Sequence, residues 1–294
     1  MSDADVNATM LPWQGVDGVL VINMDTNTSR MEAFRSNVAT HLPQDRVERL
    51  SAVVGRALPS YGQLPWFTDK TGQRASFWGG TGGCTLSHFK AVAYAKSRGW
   101  KNVLIFEDDV VAEHADAVGM AVAKAIKLLS GTYILYLGYN QPAPRGYLFA
   151  DVGEAEIWKT EGVLAAHAYL VPESAYDTIL ADAPATEADI WEWLSRYRAI
   201  DVYYRDFLPL KGVNIYVMKP QFYVQSAQDS DIAGEFFNAQ VHGQRVAPIP
   251  VTSLDGFFCS LLRRIRALKV KLNSMRTHRR ARKNGFPGFR KRKK

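Results

Sequence analysis

The sequence predicts an α/β fold: a mainly parallel sheet with helices on both faces, followed by a basic C-terminal helical tail. Three observations lead there. Short β-branched runs alternate with segments of helical periodicity, the pattern of strands joined by crossover helices. The 294 residues are 47% hydrophobic and 12% aromatic, enough to bury a substantial core, which excludes disorder for most of the chain. Several apolar runs also end abruptly in polar residues or glycine. In such sheets ligands gather at the carboxyl ends of the strands.

In chain order, Gly18–Asn23 is a β-branched run ending in a polar residue and reads as a buried strand. Met31, Phe34, Val38 and Leu42 recur at spacings of 3, 4 and 4 and predict a helix, with Pro43 just past its end. Residues 47–54 read as a second strand closed by Gly55. Residues 55–83 are rich in Gly, Pro and aromatics and read as a long loop, a length that is usually functional or mobile. Its Trp66, Phe67, Phe77 and Trp78 could stack on a sugar or base, or could pin the loop to the core. The run Gly79-Gly80-Thr81-Gly82-Gly83 could present backbone N–H groups to an anion or act as a hinge.

Thr85 or Ser87 then starts a helix to about Arg98, stopped by Gly99. Residues 103–106 form the next strand, and a helix with an Ala-rich face covers about 115–129. A strand at 133–137 ends in Gly138, and alternating segments near 146–150 and 155–159 suggest a hairpin. Residues 163–171 read as a strand, and Pro172 suits the first turn of a helix reaching about Ala183. Residues 187–208 look helical, and a strand at 214–218 ends the regular pattern.

Charge divides the chain. The net +7 averages two unlike parts: everything after Asp255 contains no acid yet holds 15 of the 36 Lys and Arg. The body is therefore acidic, and the pI near 9.3 does not make the whole protein a nucleic-acid binder. The domain reading is a catalytic domain over 1–250 and a basic amphipathic helix with a disordered tail over 251–294. Cys84 and Cys259 are too few and too far apart for a disulfide framework or a thiolate metal cluster, so a reducing compartment is expected. The opening MSDADVNATM has no signal-peptide character, and no apolar run is long enough to span a bilayer. The expected location is cytoplasmic.

The stretch VLIFEDDVV carries the chemistry. Glu107, Asp108 and Asp109 are adjacent carboxylates at the end of a buried strand, where mutual repulsion and water exclusion make them costly. They could cap a following helix and face water. Alternatively they form a hard-cation site for Mn²⁺ or Mg²⁺, with Glu107 and Asp109 sharing one face and Asp108 opposite. A metal bridging Asp109 to a diphosphate would act as a Lewis acid on the leaving group. No P-loop, no G-x-G-x-x-G after the first strand, no G-x-S-x-G elbow and no H-E-x-x-H motif appears, so those chemistries are excluded.

Six motifs in order resemble glycosyltransferase family 25, which includes lipopolysaccharide-biosynthesis transferases and collagen galactosyltransferases. They are VINMDTNTSR, GCTLSHFKAV, VLIFEDDV, YLG at 136–138, HAYLV at 167–171 and AID at 199–201, and the resemblance spans roughly 18–232. It implies a GT-A-like nucleotide-binding α/β fold and an inverting transfer. The implied donor is a UDP-sugar, often UDP-galactose, and the implied cofactor is a divalent metal, usually Mn²⁺. Glu107-Asp108-Asp109 then takes the place of a D-x-D motif, with Asp109 the direct metal contact and Glu107 beside it. Asn23 and Arg30 match positions expected near the nucleotide, and His88, expected at the start of its helix, matches the family histidine and is a catalytic candidate. Thr26 and Thr81 depart from the family pattern, standing where Arg and Glu are usual.

On this reading Arg30 or Lys90 assists the metal at the diphosphate. Gln225 or Asp229 supplies a third metal ligand. Asp201, in AIDVYY, is the candidate base for the acceptor hydroxyl, with a helix N-cap as its bland alternative. His167 is more simply a hydrogen-bonded structural group. The alternatives to a metal-dependent glycosyltransferase are another metal-dependent nucleotide-sugar or nucleotidyl transferase, and a catalytically weak sugar-nucleotide-binding scaffold.

In the tail, Leu254, Phe258, Leu261, Ile265, Leu268, Leu272 and Met275 recur at intervals of 4, 3, 4, 3, 4 and 3. That is one apolar stripe, with Arg263, Arg264, Arg266 and Lys271 largely off it. Such a helix suits an anionic membrane surface, at about 1 kcal/mol per Lys or Arg. This agrees with a peripheral enzyme on the inner face of the cytoplasmic membrane that uses a glycan or lipid-linked glycan acceptor. Packing on the body or another subunit is the second reading, and nucleic acid is the least favoured partner.

Overall fold

A computed structural model of the chain describes residues 10–62, 73–140, 145–226 and 249–250, together with helical positions between 261 and 279. The strands are β1 (Gly18–Asn23), β2 (Val47–Ser51), β3 (Asn102–Glu107), β4 (Val110–Ala112), β5 (Tyr133–Gly138) and β6 (Arg145–Asp151). They continue with β7 (Glu156–Thr160), β8 (Ala168–Pro172), β9 (Asn214–Lys219), β10 (Tyr223–Gln225) and β11 (Ile249–Pro250). The helices are α1 (Thr28–Asn37), α2 (Gln73–Ser97), α3 (Ala115–Leu128), α4 (Glu173–Leu180), α5 (Ile190–Tyr197) and α6 (Ile200–Asp206).

Nine strands form one sheet in the order β11-β6-β7-β9-β5-β8-β3-β1-β2. β8 runs antiparallel to both β3 and β5, and β7 runs antiparallel to β6 and β9. The other strands all point the same way, so the sheet is mainly parallel, as the sequence predicts. β1, β5 and β8 are buried along their whole length. A strand buried on both faces needs a helical layer on each. One layer is α2, α4, α5 and α6, whose Phe89, Trp191, Tyr203 and Tyr204 meet Leu20, Ile105 and Tyr136 of the sheet. The other is α1 and α3, whose Met31, Phe34 and Val118 meet Val19, Val21 and Phe106.

Phe106 joins the second core to the site. Its ring lies edge-on to Phe34 at 5.8 Å and to Tyr223 at 4.9 Å, and it is fully buried. Phe106→Ala is expected to cost about 3–5 kcal/mol of stability by urea denaturation, the usual range for truncating a buried aromatic.

Three expectations from the sequence need correction, and one small sheet goes unannounced. Residues 55–83 are not one long loop: α2 begins at Gln73 and carries the glycine run inside it. The reason is tertiary. A Cβ on Gly55 would stand 1.6 Å from the carbonyl oxygen of Gly79, and one on Gly83 would stand 2.4 Å from that of Val53. The helix backbone thus rests directly on the loop 53–55. That contact outweighs the loss of roughly 1 kcal/mol per glycine in a helix interior. Trp78 accordingly packs, half-buried, against the core. Trp66, Phe67 and the Phe77 side chain lie outside the described residues.

The helix expected over 187–208 is a 3-10 turn (Glu187–Asp189) followed by α5 and α6, broken where Arg198 takes a left-handed φ of 73°. The strand expected from Val163 starts at Ala168, after a loop in which Ala165 has φ 67°. β4 and β10, three residues each, pair antiparallel as a small second sheet that no periodicity announces.

Candidate active site

β1 and β3 lie side by side and parallel, with Ile22 opposite Glu107, so their carboxyl ends open onto one cleft. Its volume is about 350 Å³, and its walls come from β1, the loop 52–56, α2 and the Glu107–Asp109 turn. The three carboxylates diverge as soon as the strand ends. Asp108 turns toward β1, where Oδ2 accepts a hydrogen bond from Asn23 Nδ2 at 2.6 Å and Oδ1 lies 3.6 Å from the Arg30 guanidinium. Asn23 is buried and held from its other side, since Arg49 Nε donates to its Oδ1 at 2.7 Å and Arg49 NH2 to its carbonyl at 3.1 Å.

Glu107 and Asp109 turn the other way, toward Gln225. The β4–β10 ladder places Gln225 there, opposite Val110, and Ser226 N donates to the Asp109 carbonyl at 2.7 Å. Gln225 Nε2 lies 3.4 Å from both Glu107 Oε2 and Asp109 Oδ2, and its Oε1 accepts from Asn140. Asp109 Oδ1 is buried and has no hydrogen-bond donor among the described residues. Burial first, then the charges of Glu107 and Asp108, push its carboxyl up to about 7. Burial acts upward on Glu107 too, but the hydrogen bond and charge of His88, with the charge of His167, outweigh it and leave Glu107 lowered.

His88 is fully buried in the middle of α2, so it does not stand at a helix start. Its Nδ1 meets the Tyr169 hydroxyl at 2.7 Å and its Nε2 meets Glu107 Oε1 at 3.0 Å. Cys84 lies one helical turn earlier, its Sγ 3.8 Å from the same oxygen. Burial, followed by the charge of Glu107, raises the Cys84 thiol well above its usual range. His167 is buried behind Glu107 and held at Nε2 by the Tyr223 carbonyl at 3.3 Å, and burial lowers its pKa. Gly138 makes room for it: a Cβ there would stand 2.4 Å from His167 Nε2 and 2.3 Å from the Tyr223 carbonyl oxygen.

The structure therefore brings Asn23, Arg30, Glu107, Asp108, Asp109, His88 and Gln225 to one cleft or its immediate support. Lys90 and Asp201 do not line the cleft, although the charge of Asp201 acts on Cys84. Lys90 Nζ donates to the Ser51 carbonyl at 2.8 Å on the exposed side of α2. Asp201 sits in the first turn of α6, its two oxygens accepting from Ala165 N at 3.1 Å and Val202 N at 2.7 Å. Asp229 lies outside the described residues. Sequence reasoning missed Arg49, Tyr169 and Cys84. The C-x-x-x-H spacing of Cys84 and His88 could have found the last, since residues four apart share a helix face.

An orphaned, buried carboxylate oxygen beside a second carboxylate and an amide is a donor set suited to a hard divalent cation. Glu107 and Asp109 present the oxygens that fit one, and Gln225, which faces them through Nε2, would join them with its amide turned to bring Oε1 in from Asn140.

The model of glycosyltransferase family 25 (LPS biosynthesis protein) matches residues 16–143, which contain β1, α2, β3 and all three carboxylates. Among curated proteins nothing matches. Among solved structures, mannose-1-phosphate geranyltransferase from Thermus thermophilus is similar over 74% of this chain and 76% of its own, at 12% identity and a TM-score of 0.37. The resemblance carried by the motifs is matched by that family model over residues 16–143, somewhat under half of the chain, and this supports a glycosyltransferase.

Proposed function

We propose that this glycosyltransferase is metal-dependent and inverting, moving a sugar, galactose on the family resemblance, from a UDP-sugar to a glycan acceptor in lipopolysaccharide or other cell-surface glycan synthesis. The observation that carries this reading is the convergence of Glu107, Asp109 and Gln225, with Asp109 Oδ1 buried and without a donor among the described residues. These three residues would hold Mn²⁺ or Mg²⁺, which supplies charge stabilisation for the departing diphosphate. Arg30, which lines the same cleft, would add a positive charge on the nucleotide side. Asn23 and Arg49 fix Asp108, and through it the turn that aims Asp109. His88 positions Glu107 through its Nε2.

The direct test is UDP release from a panel of UDP-sugars with Mn²⁺ and with a chelator. Release that is equal in both would overturn the metal dependence. Release of the nucleoside monophosphate or of inorganic diphosphate would favour another nucleotide-sugar or nucleotidyl transfer. Tight UDP-sugar binding with no turnover would favour a scaffold.

For the acceptor proton we keep Asp201 as the proposed base, on its match to the family's AID motif. The hydrogen bond it accepts from Ala165 N also makes it a brace for the 163–167 loop, and the two roles predict different results. Asp201→Asn is expected to lower turnover about 10²-fold or more at temperatures where the variant stays folded. A mere brace would lower the melting temperature and leave turnover of the folded variant near the wild-type level.

The tail fits a peripheral location. Leu261, Ile265, Leu268, Leu272 and Met275 are all exposed, and no helix among the described residues is long and apolar enough to cross a membrane. We propose that this stripe, with its surrounding Lys and Arg, binds the anionic cytoplasmic face of the membrane, where a lipid-linked acceptor would be found. In liposome flotation, recovery is expected with anionic vesicles and not with neutral ones. Equal recovery in both would overturn the electrostatic anchor.

A further inference from the structure

We propose that Cys84, His88 and Glu107 form a second cation site, selective for a soft divalent ion such as Zn²⁺, and that its occupation inhibits the enzyme.

The three ligand atoms lie within 4.8 Å of one another. Cys84 and His88 are one turn apart on the same face of α2, and Glu107 approaches from the end of β3, so two rigid elements present the set. His88 Nε2 and Cys84 Sγ stand 3.0 and 3.8 Å from Glu107 Oε1. An ion roughly 2.0–2.3 Å from each ligand fits between groups at such separations with small side-chain shifts. The Tyr169 hydroxyl on Nδ1 at 2.7 Å fixes the ring so that Nε2 faces the gap, the orienting contact that histidine ligands commonly have. All three residues line the cleft, which gives an ion a way in and leaves its fourth position for water.

Ligand chemistry separates this site from its neighbour. A thiolate and an imidazole favour Zn²⁺, whereas the carboxylates and amide of Glu107, Asp109 and Gln225 favour Mn²⁺ or Mg²⁺. Binding is a proton exchange. The Cys84 S–H gives its proton to buffer as the S–metal bond forms. The Nε2 proton that His88 donates to Glu107 passes to Nδ1 or to buffer as the N–metal bond forms, and the ion keeps its two positive charges throughout. Glu107 belongs to both sites, with Oε1 toward His88 and Oε2 toward Gln225. Zn²⁺ on Oε1 withdraws the negative charge that the hard ion needs, so the two ions compete. The inhibitory consequence rests on the metal role proposed for Glu107 and Asp109, while the soft site does not.

Co²⁺ titration of the full-length protein tests the site without any assay of transfer. A near-ultraviolet thiolate-to-cobalt charge-transfer band is expected, and Zn²⁺ should abolish it. The band should vanish in Cys84→Ala and in the closer isostere Cys84→Ser, and persist in Cys259→Ala, which assigns the thiol. Zn²⁺ affinity, read against a chromophoric chelator, should fall at least about tenfold in Cys84→Ala. Absence of the band in folded wild type, or unchanged Zn²⁺ affinity in both Cys84 variants, would overturn the site. Mn²⁺ binding followed by electron paramagnetic resonance tests the competition separately. Zn²⁺ should expel Mn²⁺ from wild type and not from Cys84→Ala. Mn²⁺ that stays bound beside Zn²⁺ would overturn the inhibition. A protein that shows the cobalt band but never binds Mn²⁺ would support the soft site and refute the hard one.

Discussion

Asp109→Asn is expected to lower UDP release by about 10²-fold or more, and to make the metal-free protein more stable at pH 8. The two effects have one cause. Asp109 has a buried oxygen with no donor among the described residues and two carboxylate neighbours, so its charged form is disfavoured and its carboxyl rises to about 7 from 3.8. A folded pKa above the unfolded one means that the native state binds more protons between those values. Stability therefore falls as pH rises from about 4 toward 7 and stays lower above that. Asparagine carries no charge, so the variant escapes the loss. Its advantage should grow by about 1–2 kcal/mol between pH 5 and pH 8, a figure discounted from the full shift because the site opens onto a wet cleft.

Mn²⁺ should reverse the order. An ion that binds only the folded wild type stabilises it by mass action, while the variant gains little. Protons compete for the same oxygens, so the wild-type affinity for Mn²⁺ should weaken as pH falls below about 7. Thermal melts at pH 5 and pH 8, with and without Mn²⁺, check all of this. A variant less stable than wild type at pH 8 without metal would show that Asp109 is not strained. A variant that keeps wild-type UDP release would end its metal role.

How far the sequence alone led depends on the range of the signal. β1, β3 and β5 declare themselves because a run such as GVLVIN or YILYLG is buried on both faces and must be strand. Alternation of side chains past Glu107 likewise anticipates that Asp108 leaves the other two carboxylates, because period-two geometry is local. Gln225 could be named as a third ligand only as one of several polar residues in a late segment. What puts it beside Asp109 is the three-residue β4–β10 ladder, too short to leave a pattern. His88 could be found by motif, but its burial and its hold on Glu107 and Tyr169 follow from where α2 begins. That beginning was hidden, since four glycines in five residues read locally as loop. Their compatibility with helix comes from a loop far away in sequence. Propensity lost there to a long-range contact that only the folded chain contains.

That contact makes the second large prediction. Gly55→Ala is expected to destabilise the protein by about 3 kcal/mol or more, at the upper end of the usual range for overpacking. The added methyl would lie 1.6 Å from the Gly79 carbonyl oxygen, 2.5 Å from the Gly79 carbonyl carbon and 3.0 Å from Gly83 N, all backbone atoms of α2. No rotamer change relieves such a clash, so the helix and the loop 53–55 must separate. They are two walls of the same cleft, with Val53, Val54 and Gly55 on one side and Gly80, Cys84, Ser87 and His88 on the other. Moving α2 also takes His88 away from Glu107, which its Nε2 holds at 3.0 Å. Turnover should therefore fall even at temperatures where the variant remains folded. Gly99→Ala is the matched control, because among the described residues nothing lies within 4 Å of a Cβ there and its positive φ of 68° is the penalty. That strain costs about 1 kcal/mol, and turnover in the folded control should stay at the wild-type level. Urea denaturation of both variants, followed by turnover well below their melting temperatures, separates the two cases. If Gly55→Ala resembles Gly99→Ala in both measurements, α2 does not rest on the loop as closely as described, and the helical glycines need another explanation.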